Sequence, residues 1–323
     1  MPHAIVIHEV GGPEKLRWEA VDVPAPGPGQ VRIRHTAIGL NFIDVYHRIG
    51  LYKVTLPTSI GQEAAGVVEA VGDGVTSVTE GDRVVYTGLM GAYSEERLAP
   101  ADRVVKLPPE VDDKTAAAVF LKGLTTGMLL HRVFPVRAGH TLLVHAAAGG
   151  VGSILTPWAK SLGATVIGTV GSQEKAKLAK AQGCDHVSVT REENFVARVK
   201  DITSGRGVDV VYDSVGKDTV PGSLELLVSR GWLVSFGQSS GIPAPIEFPT
   251  IGGLRSLFVT RPSLMAYTTT RAELEQGAAA LFDVLKKGIV PTPPPRTFAL
   301  KDAAEAQRAL EARATTGSVV FIP

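Results

Sequence analysis

The sequence predicts an α/β chain in two parts, a β-rich barrel joined to a doubly wound parallel sheet, and three observations predict it. Its 323 residues exceed the size at which a single hydrophobic core usually stops growing, so two domains are expected. From residue 4 to about 108, short β-type runs alternate with Gly and Pro clusters such as PAPGPG. Between residues 141 and 260, strands rich in Val and Ile alternate with helical stretches, the rhythm of a parallel sheet covered on both faces.

The first half offers strands at AIVIHE, QVRIRHTAI, AAGVVEAVG, DRVVYTG and DRVVKLP, which read together as a compact barrel. After residue 115 the texture changes to TAAAVFLKGLTTGMLLHRVF, an apolar helix that Pro135 and Gly139 bring to an end. The domain boundary belongs in or near this helix.

The alternating part then runs TLLVHA, a helix after Gly149, ATVIGTV, a helix over 174–182, HVSV, and a helix over 192–203. It continues with VDVVYD, a helix over 224–229, WLVSFG and SLFVT. Six strands in this order suit the doubly wound dinucleotide fold. The tail holds helices over 271–287 and 302–313, separated by the stiff PTPPP segment, and a last strand SVVFIP. Asp302 and Glu305 have the spacing of a capping box. Two helices and one strand are too little for a core of their own, so the tail should pack on the barrel. The expected domains are 1–123 with 265–323, and 124–264.

Composition narrows the function. With 44% hydrophobic and 20% charged residues the chain is far from the signature of disorder. Thirty-three Lys and Arg against 32 Asp and Glu leave a net charge of +1, which argues against nucleic acid as a partner. The single cysteine, Cys184, excludes an intramolecular disulfide. The N-terminal MPHAIVIHEVGG lacks a secretory pattern and no apolar run is long enough to span a bilayer, so the cytoplasm is the expected compartment.

The chemistry centres on a glycine cluster. TLLVHA leads into Ala147, Ala148, Gly149, Gly150, Val151 and Gly152 and then into a helix, so Ala147, Gly149 and Gly152 stand where G-x-G-x-x-G places its glycines. The first turns the chain, Gly149 lets backbone approach a pyrophosphate, and Gly152 lets the helix lie close on the strand. A glycine turn needed only for packing is the bland alternative, but the strand before, the helix after and the repeated αβ rhythm favour a dinucleotide. NAD-using folds carry an acid about 20 residues on. This chain has Thr169, Val170, Gly171 and Ser172 there, with Lys175 one turn into the next helix. The missing carboxylate favours NADPH. Lys175 also fits a solvated surface lysine.

A barrel beside a dinucleotide domain is also the plan of the zinc alcohol dehydrogenases, whose metal requires Cys, His or carboxylate ligands. One cysteine cannot supply a thiolate cluster, and in GQEAAG the position of a ligand histidine carries Gln62, a poor metal donor. Glu63 reads as a structural carboxylate and His145, on a buried strand, as a satisfied core histidine.

The residues GLNFIDVYHRIGLY, GQEAAG, AAAGGVG, YDSVG, VSFGQSSG, VTRPSL and ARATTGS together resemble the quinone oxidoreductases, the zinc-free, zeta-crystallin-like branch of the medium-chain dehydrogenase/reductase superfamily. The resemblance implies a GroES-like barrel, a Rossmann domain inserted before the tail, NADPH in the cleft between them, and a homodimer paired through SLFVT. It implies reduction of a quinone by NADPH, with a reductase of α,β-unsaturated aldehydes or ketones as the rival enzyme. A cofactor-bearing RNA-binding or crystallin-like protein is the rival of another class.

Carried over, Asn41, Tyr46 and Tyr52 would be the catalytic residues facing the nicotinamide and the acceptor. The cofactor set would comprise Asn41, Thr125, Gly149, Gly150, Val151, Gly152, Gly171, Lys175, Ser214, Phe236, Gly237, Arg261 and Arg313, with Lys175 and Arg313 on the 2′-phosphate. Each has an ordinary alternative: Asn41 as a turn residue, Phe236 as core, the arginines as surface charges. Relatives place a tyrosine by the 2′-phosphate where this chain has Thr190, which leaves that contact open.

Overall fold

The computed structural model describes residues 1–253, 255–312 and 314–323. The chain divides into two compact units, 1–122 with 269–282 and 292–323, and 123–268 with 283–291. The division falls inside the apolar helix, between Lys122 and Gly123. Within the tail, 283–291 groups with the second unit rather than the first.

The first unit opens with β1 (His3–Ile7), β2 (Arg17–Ala20) and β3 (Gln30–Leu40), and a short helix α1 (Phe42–Arg48) follows β3 directly. Next come β4 (Thr58–Ser59), β5 (Glu63–Val71), β6 (Arg83–Thr87), β7 (Glu96–Pro100) and β8 (Val104–Lys106), and then α2 (Asp113–Met128). Three of these strands, β2, β4 and β7, lay outside the apolar runs that sequence patterning detects. Strand β2, read RWEA, is largely exposed, so alternation gives little signal there; antiparallel pairing with β1 makes it a strand. Register shifts between Arg32 and Ile33 and between His35 and Ala37 interrupt the pairing of β3 with β5, as bulges that bend a curved sheet do.

The second unit runs β9 (Thr141–Val144), α3 (Gly152–Ser161), β10 (Thr165–Val170), α4 (Gln173–Ala181), β11 (His186–Val189), α5 (Phe195–Ile202) and β12 (Val208–Asp213). It continues with α6 (Val220–Leu226), β13 (Leu227–Ser235), α7 (Phe248–Ile251) and β14 (Phe258–Thr260). Its six strands are all parallel, in the order β11-β10-β9-β12-β13-β14. In chain order this is 3-2-1-4-5-6, the doubly wound arrangement whose ligands lie beyond the carboxyl ends of the strands. Apolar side chains from strands and helices, including Leu143, Ile167, Val199, Val211, Leu224 and Leu233, fill one core.

The helix expected over 224–229 is corrected: α6 ends at Leu226, and Leu227 already pairs with Val208 of β12. An apolar run such as LELL suits helix or strand by pattern, and parallel pairing decides between them.

The tail supplies α8 (Arg271–Lys286), β15 (Arg296–Ala299), α9 (Ala303–Glu311) and β16 (Val319–Ile322). Strand β16 pairs antiparallel with β3, completing a seven-stranded sheet of order β15-β16-β3-β5-β6-β8, with β7 also on β3. The tail thus finishes the first unit, and Phe321 joins Ile33, Ile38 and Tyr93 in its core. Asp302 forms no capping box; it ends a 3-10 turn, Leu300–Asp302, that leads into α9 without a side-chain cap. Among the described residues no helix is long and apolar enough to cross a membrane.

Candidate functional site

In the second unit the glycine turn is shaped by close approach. A side chain at Gly152 would bring its Cβ to 2.5 Å from the Ala147 carbonyl oxygen and 2.6 Å from that of Ala146. Glycine is what lets the turn after β9 close against the start of α3, where a helix N-terminus can meet an anion. The alanine at the first fingerprint position is accommodated by a second glycine. Ala147 is fully buried, and a Cβ at Gly168 in neighbouring β10 would come within 2.7 Å of both the Ala147 methyl and Cys184 Sγ. The extra methyl at 147 therefore occupies the space left by the missing one at 168. The tight conformation falls one residue earlier than the fingerprint suggests, on Ala146 with φ 53°.

Strands β9 and β12 are neighbours at the point where the strand order reverses, and their carboxyl ends carry the expected residues. Asp213, the last residue of β12 and fully buried, organises the loop that starts at Ser214. Its Oδ1 accepts from the Val215 and Gly216 amides at 2.7 and 2.9 Å, and its Oδ2 from the Thr219 hydroxyl at 2.8 Å. Phe236 and Gly237 are tied to the same residue, their amides donating to the Asp213 carbonyl at 2.8 and 3.3 Å. Ser214, Phe236 and Gly237 are thereby gathered around one anchor that sequence reasoning missed. The motif YDSVG carried it in plain view, but an aspartate whose partners are backbone amides has no spacing signature. Arg261 follows β14, with Nη1 donating to Ser235 Oγ at 3.4 Å.

At the end of β10, Gly171 and Ser172 lead into α4. Ser172 caps it, its Oγ accepting from the Lys175 amide at 3.3 Å. Lys175 is partly exposed on the first turn, and Thr125 lies partly exposed on the portion of α2 that belongs to this unit. Arg313 lies outside the described residues. His145 is satisfied at both nitrogens, Nδ1 with Thr169 Oγ1 and Nε2 with Ser223 Oγ, each at 2.8 Å. Burial lowers its pKa, the nearby Asp213 opposing.

In the first unit Asn41 is the residue before α1, and its amide N–H donates to Asp44 Oδ2 at 2.9 Å. Its side-chain Nδ2 donates to Glu63 Oε2 at 2.8 Å. Glu63 in turn accepts the Leu121 amide at 2.5 Å on Oε1 and faces Lys122 Nζ at 3.6 Å. Glu63 is fully buried and Lys122 nearly so. Burial raises the Glu63 pKa, while Lys122, Asn41 and the Leu121 amide act in the opposite sense. With donors on both oxygens, Glu63 is a structural carboxylate.

Tyr46 and Tyr52 meet edge to face with ring centroids 5.3 Å apart, and Phe42 and His47 extend the cluster on either side at 5.4 and 5.7 Å. Tyr46 is buried and Tyr52 partly exposed. His47 Nε2 is 3.4 Å from Gln62 Nε2, while its Nδ1 is buried without a hydrogen bond. Burial lowers the His47 pKa, so the ring is neutral at neutral pH. His47 sits in the motif GLNFIDVYHRIGLY, yet only contact with Gln62 and Tyr52 marks it out.

The two units are those of the medium-chain, dinucleotide-dependent oxidoreductases. The sequence profile of the alcohol dehydrogenase GroES-like domain matches residues 27–109, and that of the zinc-binding dehydrogenases matches residues 150–283. A 2-haloacrylate reductase of Burkholderia sp is 48% identical, with 100% of this chain and 99% of that protein covered. A quinone oxidoreductase of Pseudomonas aeruginosa is 47% identical over 97% of each chain. The structure of Escherichia coli quinone oxidoreductase complexed with NADPH superposes with a TM-score of 0.97 at 45% identity, covering 99% of this chain and 100% of that one. The chain belongs to the quinone oxidoreductase family.

The zinc named in the broader profile does not fit the donors present. Asn41 and Gln62 are amides, the one thiol, Cys184, is buried in the other unit, and both oxygens of Glu63 face nitrogen donors. Among the described residues no group of three or more His, Cys, Asp and Glu is placed to hold a metal ion. NADPH does fit: Gly152 lets the start of α3 pack against the Ala146 and Ala147 carbonyls in the tight turn that a pyrophosphate approaches, and no carboxylate stands at Gly171 and Ser172 to repel a 2′-phosphate.

Proposed function

We propose that this protein is an NADPH-dependent quinone reductase whose reaction needs no metal. The observation that carries the reading is the glycine-lined start of α3 beside an acid-free end of β10, in a chain whose first unit carries Gln62 where a zinc enzyme presents a ligand histidine. Bound NADPH supplies a hydride from its nicotinamide ring, and a proton from solvent completes reduction of the quinone to the hydroquinone.

The chain's own residues hold and orient. Gly149, Gly150, Val151 and Gly152 receive the pyrophosphate; Gly171, Lys175 and Arg313 receive the adenosine ribose and its phosphate; Thr125, Ser214, Phe236, Gly237 and Arg261 line the nicotinamide half. Asn41, fixed by Glu63, positions the nicotinamide. Tyr52, with Tyr46 packed against it, donates a hydrogen bond to the carbonyl oxygen of the acceptor as charge develops there. Positioning in a dry site is the main demand of hydride transfer, so no dedicated acid is required.

The 2-haloacrylate reductase relative supports a second reading, reduction of an activated alkene by the same cofactor, since such an acceptor is also a conjugated carbonyl compound. Initial rates of NADPH oxidation with 1,4-naphthoquinone, 9,10-phenanthrenequinone, an alkenal and 2-chloroacrylate test the two. Fastest turnover with a quinone supports the first; turnover with 2-chloroacrylate alone replaces it with the second.

Strand β14 ends the parallel sheet with Phe258 48% and Val259 38% exposed. An apolar edge of this kind needs covering, and we infer that a second copy pairs with it to form a homodimer. Sedimentation of the wild type against Val259→Lys tests this, a dimer that becomes a monomer being the expected result. A cytoplasmic setting suits the one buried thiol.

A further inference from the structure

We infer that Arg191, rather than Thr190, is the residue after β11 that reads the adenosine 2′-phosphate and so helps set the preference for NADPH over NADH. The inference rests on the reading that the dinucleotide crosses Gly149 to Gly152 and that its adenosine ribose reaches the end of β10.

Strands β10 and β11 are parallel neighbours, with Val170 opposite Val189, so the residues after Val189 lie beside Gly171. Thr190 is turned back onto the sheet. Its amide donates to the Val170 carbonyl at 2.9 Å and its hydroxyl donates to the same oxygen at 3.2 Å. The proton that a tyrosine would offer to a phosphate is therefore spent on backbone.

Arg191 takes the opposite course. Its Nε is 3.9 Å from where a Cβ on Gly171 would sit, so the guanidinium group lies over the position that a ribose-binding acid occupies in NAD-using folds. The side chain is exposed. Among the described residues it has no hydrogen bond or ion pair, although carboxylates follow it in sequence. Glu192 accepts instead from Gln173 Nε2 at 2.6 Å, and Glu193 from the Val189 amide at 3.3 Å while facing Arg198 at 3.9 Å. An uncommitted guanidinium above the glycine that leads into α4, whose first turn carries Lys175, suits a dianion. A planar fork of donors suits phosphate better than a hydroxyl pair.

Calorimetric titration with 2′,5′-ADP, 5′-AMP, NADPH and NADH, of the wild type and of Arg191→Ala and Lys175→Ala, tests the assignment without catalysis. Thermal melting checks that each variant is folded. The expected result is that Arg191→Ala weakens 2′,5′-ADP and NADPH by roughly 10- to 100-fold, the worth of a charged hydrogen bond, with 5′-AMP and NADH unchanged. Gly171→Asp, which would place a carboxylate against Arg191, should shift preference toward NADH.

Equal weakening of all four ligands by Arg191→Ala would make the residue an adenine contact and overturn the inference. Loss of 2′-phosphate discrimination in Lys175→Ala but not in Arg191→Ala would overturn it and leave the β10 site standing. Unaltered 2′,5′-ADP affinity in both variants and in Gly171→Asp would overturn the inference together with the placement it rests on.

Discussion

The two units build their functional surfaces by different means. In the second, the surface is backbone: a helix start packed close on its turn through Gly152, strand ends at a point of reversed order, and a loop fastened by Asp213. In the first it is side chain: Asn41, Glu63 and Lys122 come from three distant parts of the sequence and meet in a buried polar cluster. A second cluster joins Asp44, Tyr93, Gln307, Arg48 and Glu311 across nearly the whole length of the chain. Tyr93 Oη donates to Asp44 Oδ2 at 2.8 Å, and Arg48 donates to Gln307 and to Glu311, the latter at 2.9 and 3.1 Å. Backbone sites are specified by where glycine is required; side-chain sites are specified by the fold that assembles them. The first kind should fail through steric fit and the second through charge balance.

The largest effect is expected at Glu63. Its replacement by Ala would leave the Lys122 ammonium group buried without its carboxylate, which typically costs about 3–5 kcal/mol. Urea unfolding at neutral pH measures it, and a loss below about 1 kcal/mol would show that the cluster is not held by charge pairing.

The next effect depends on pH. Asp44 is fully buried, and burial raises its pKa from the ordinary 3.8 to about 7, against the pull of the Asn41 amide and the Tyr93 hydroxyl; the Glu63 carboxylate adds to the rise and Lys122 opposes it. Its Oδ1 finds no hydrogen-bond partner. Between about pH 4 and 7 the native state keeps a proton that the unfolded chain releases. The stabilisation is therefore complete below pH 4 and lost as pH rises through 7. Asp44→Asn should remove that slope and make the protein more stable above pH 7 by about 2–4 kcal/mol. Unfolding curves at pH 5 and pH 8 that differ as much in the variant as in the wild type would contradict this.

In the backbone site, Gly152→Val should cost about 1–3 kcal/mol by overpacking against the Ala146 and Ala147 carbonyls. It should also abolish NADPH binding at micromolar protein while the far-ultraviolet spectrum stays native. The smallest effect belongs to Tyr52→Phe. The ring contacts with Tyr46 and His47 remain, and loss of one hydroxyl should lower kcat with a quinone about tenfold without changing NADPH affinity. An unchanged kcat would remove the phenol from the chemistry.

The same contrast explains what the sequence made legible. Strand and helix alternation over residues 141–260 is local periodicity, so a doubly wound parallel sheet could be read, and Gly149 to Gly152 could be placed at the start of a helix. Ala147 departs from the glycine fingerprint, and its compensation by Gly168 is hidden from sequence because a pair on adjacent strands has no fixed spacing. Exposed β2 and the short β4 owe their existence to pairing with β1 and carry little pattern of their own. Asn41 could be named from its motif, but its tie to Glu63 and Lys122, the partners of Asp44, and the role of Asp213 depend on long-range folding. Thr190 stands in a tyrosine's place, whereas the charge lies one position further on, at Arg191.

The most direct test of the account is calorimetric titration of the purified, metal-analysed protein with NADPH and with NADH. The account predicts one NADPH bound per chain, at least about tenfold tighter than NADH, in protein with no stoichiometric zinc. Absence of heat with either coenzyme, or one zinc per chain that must be present for binding, would contradict it.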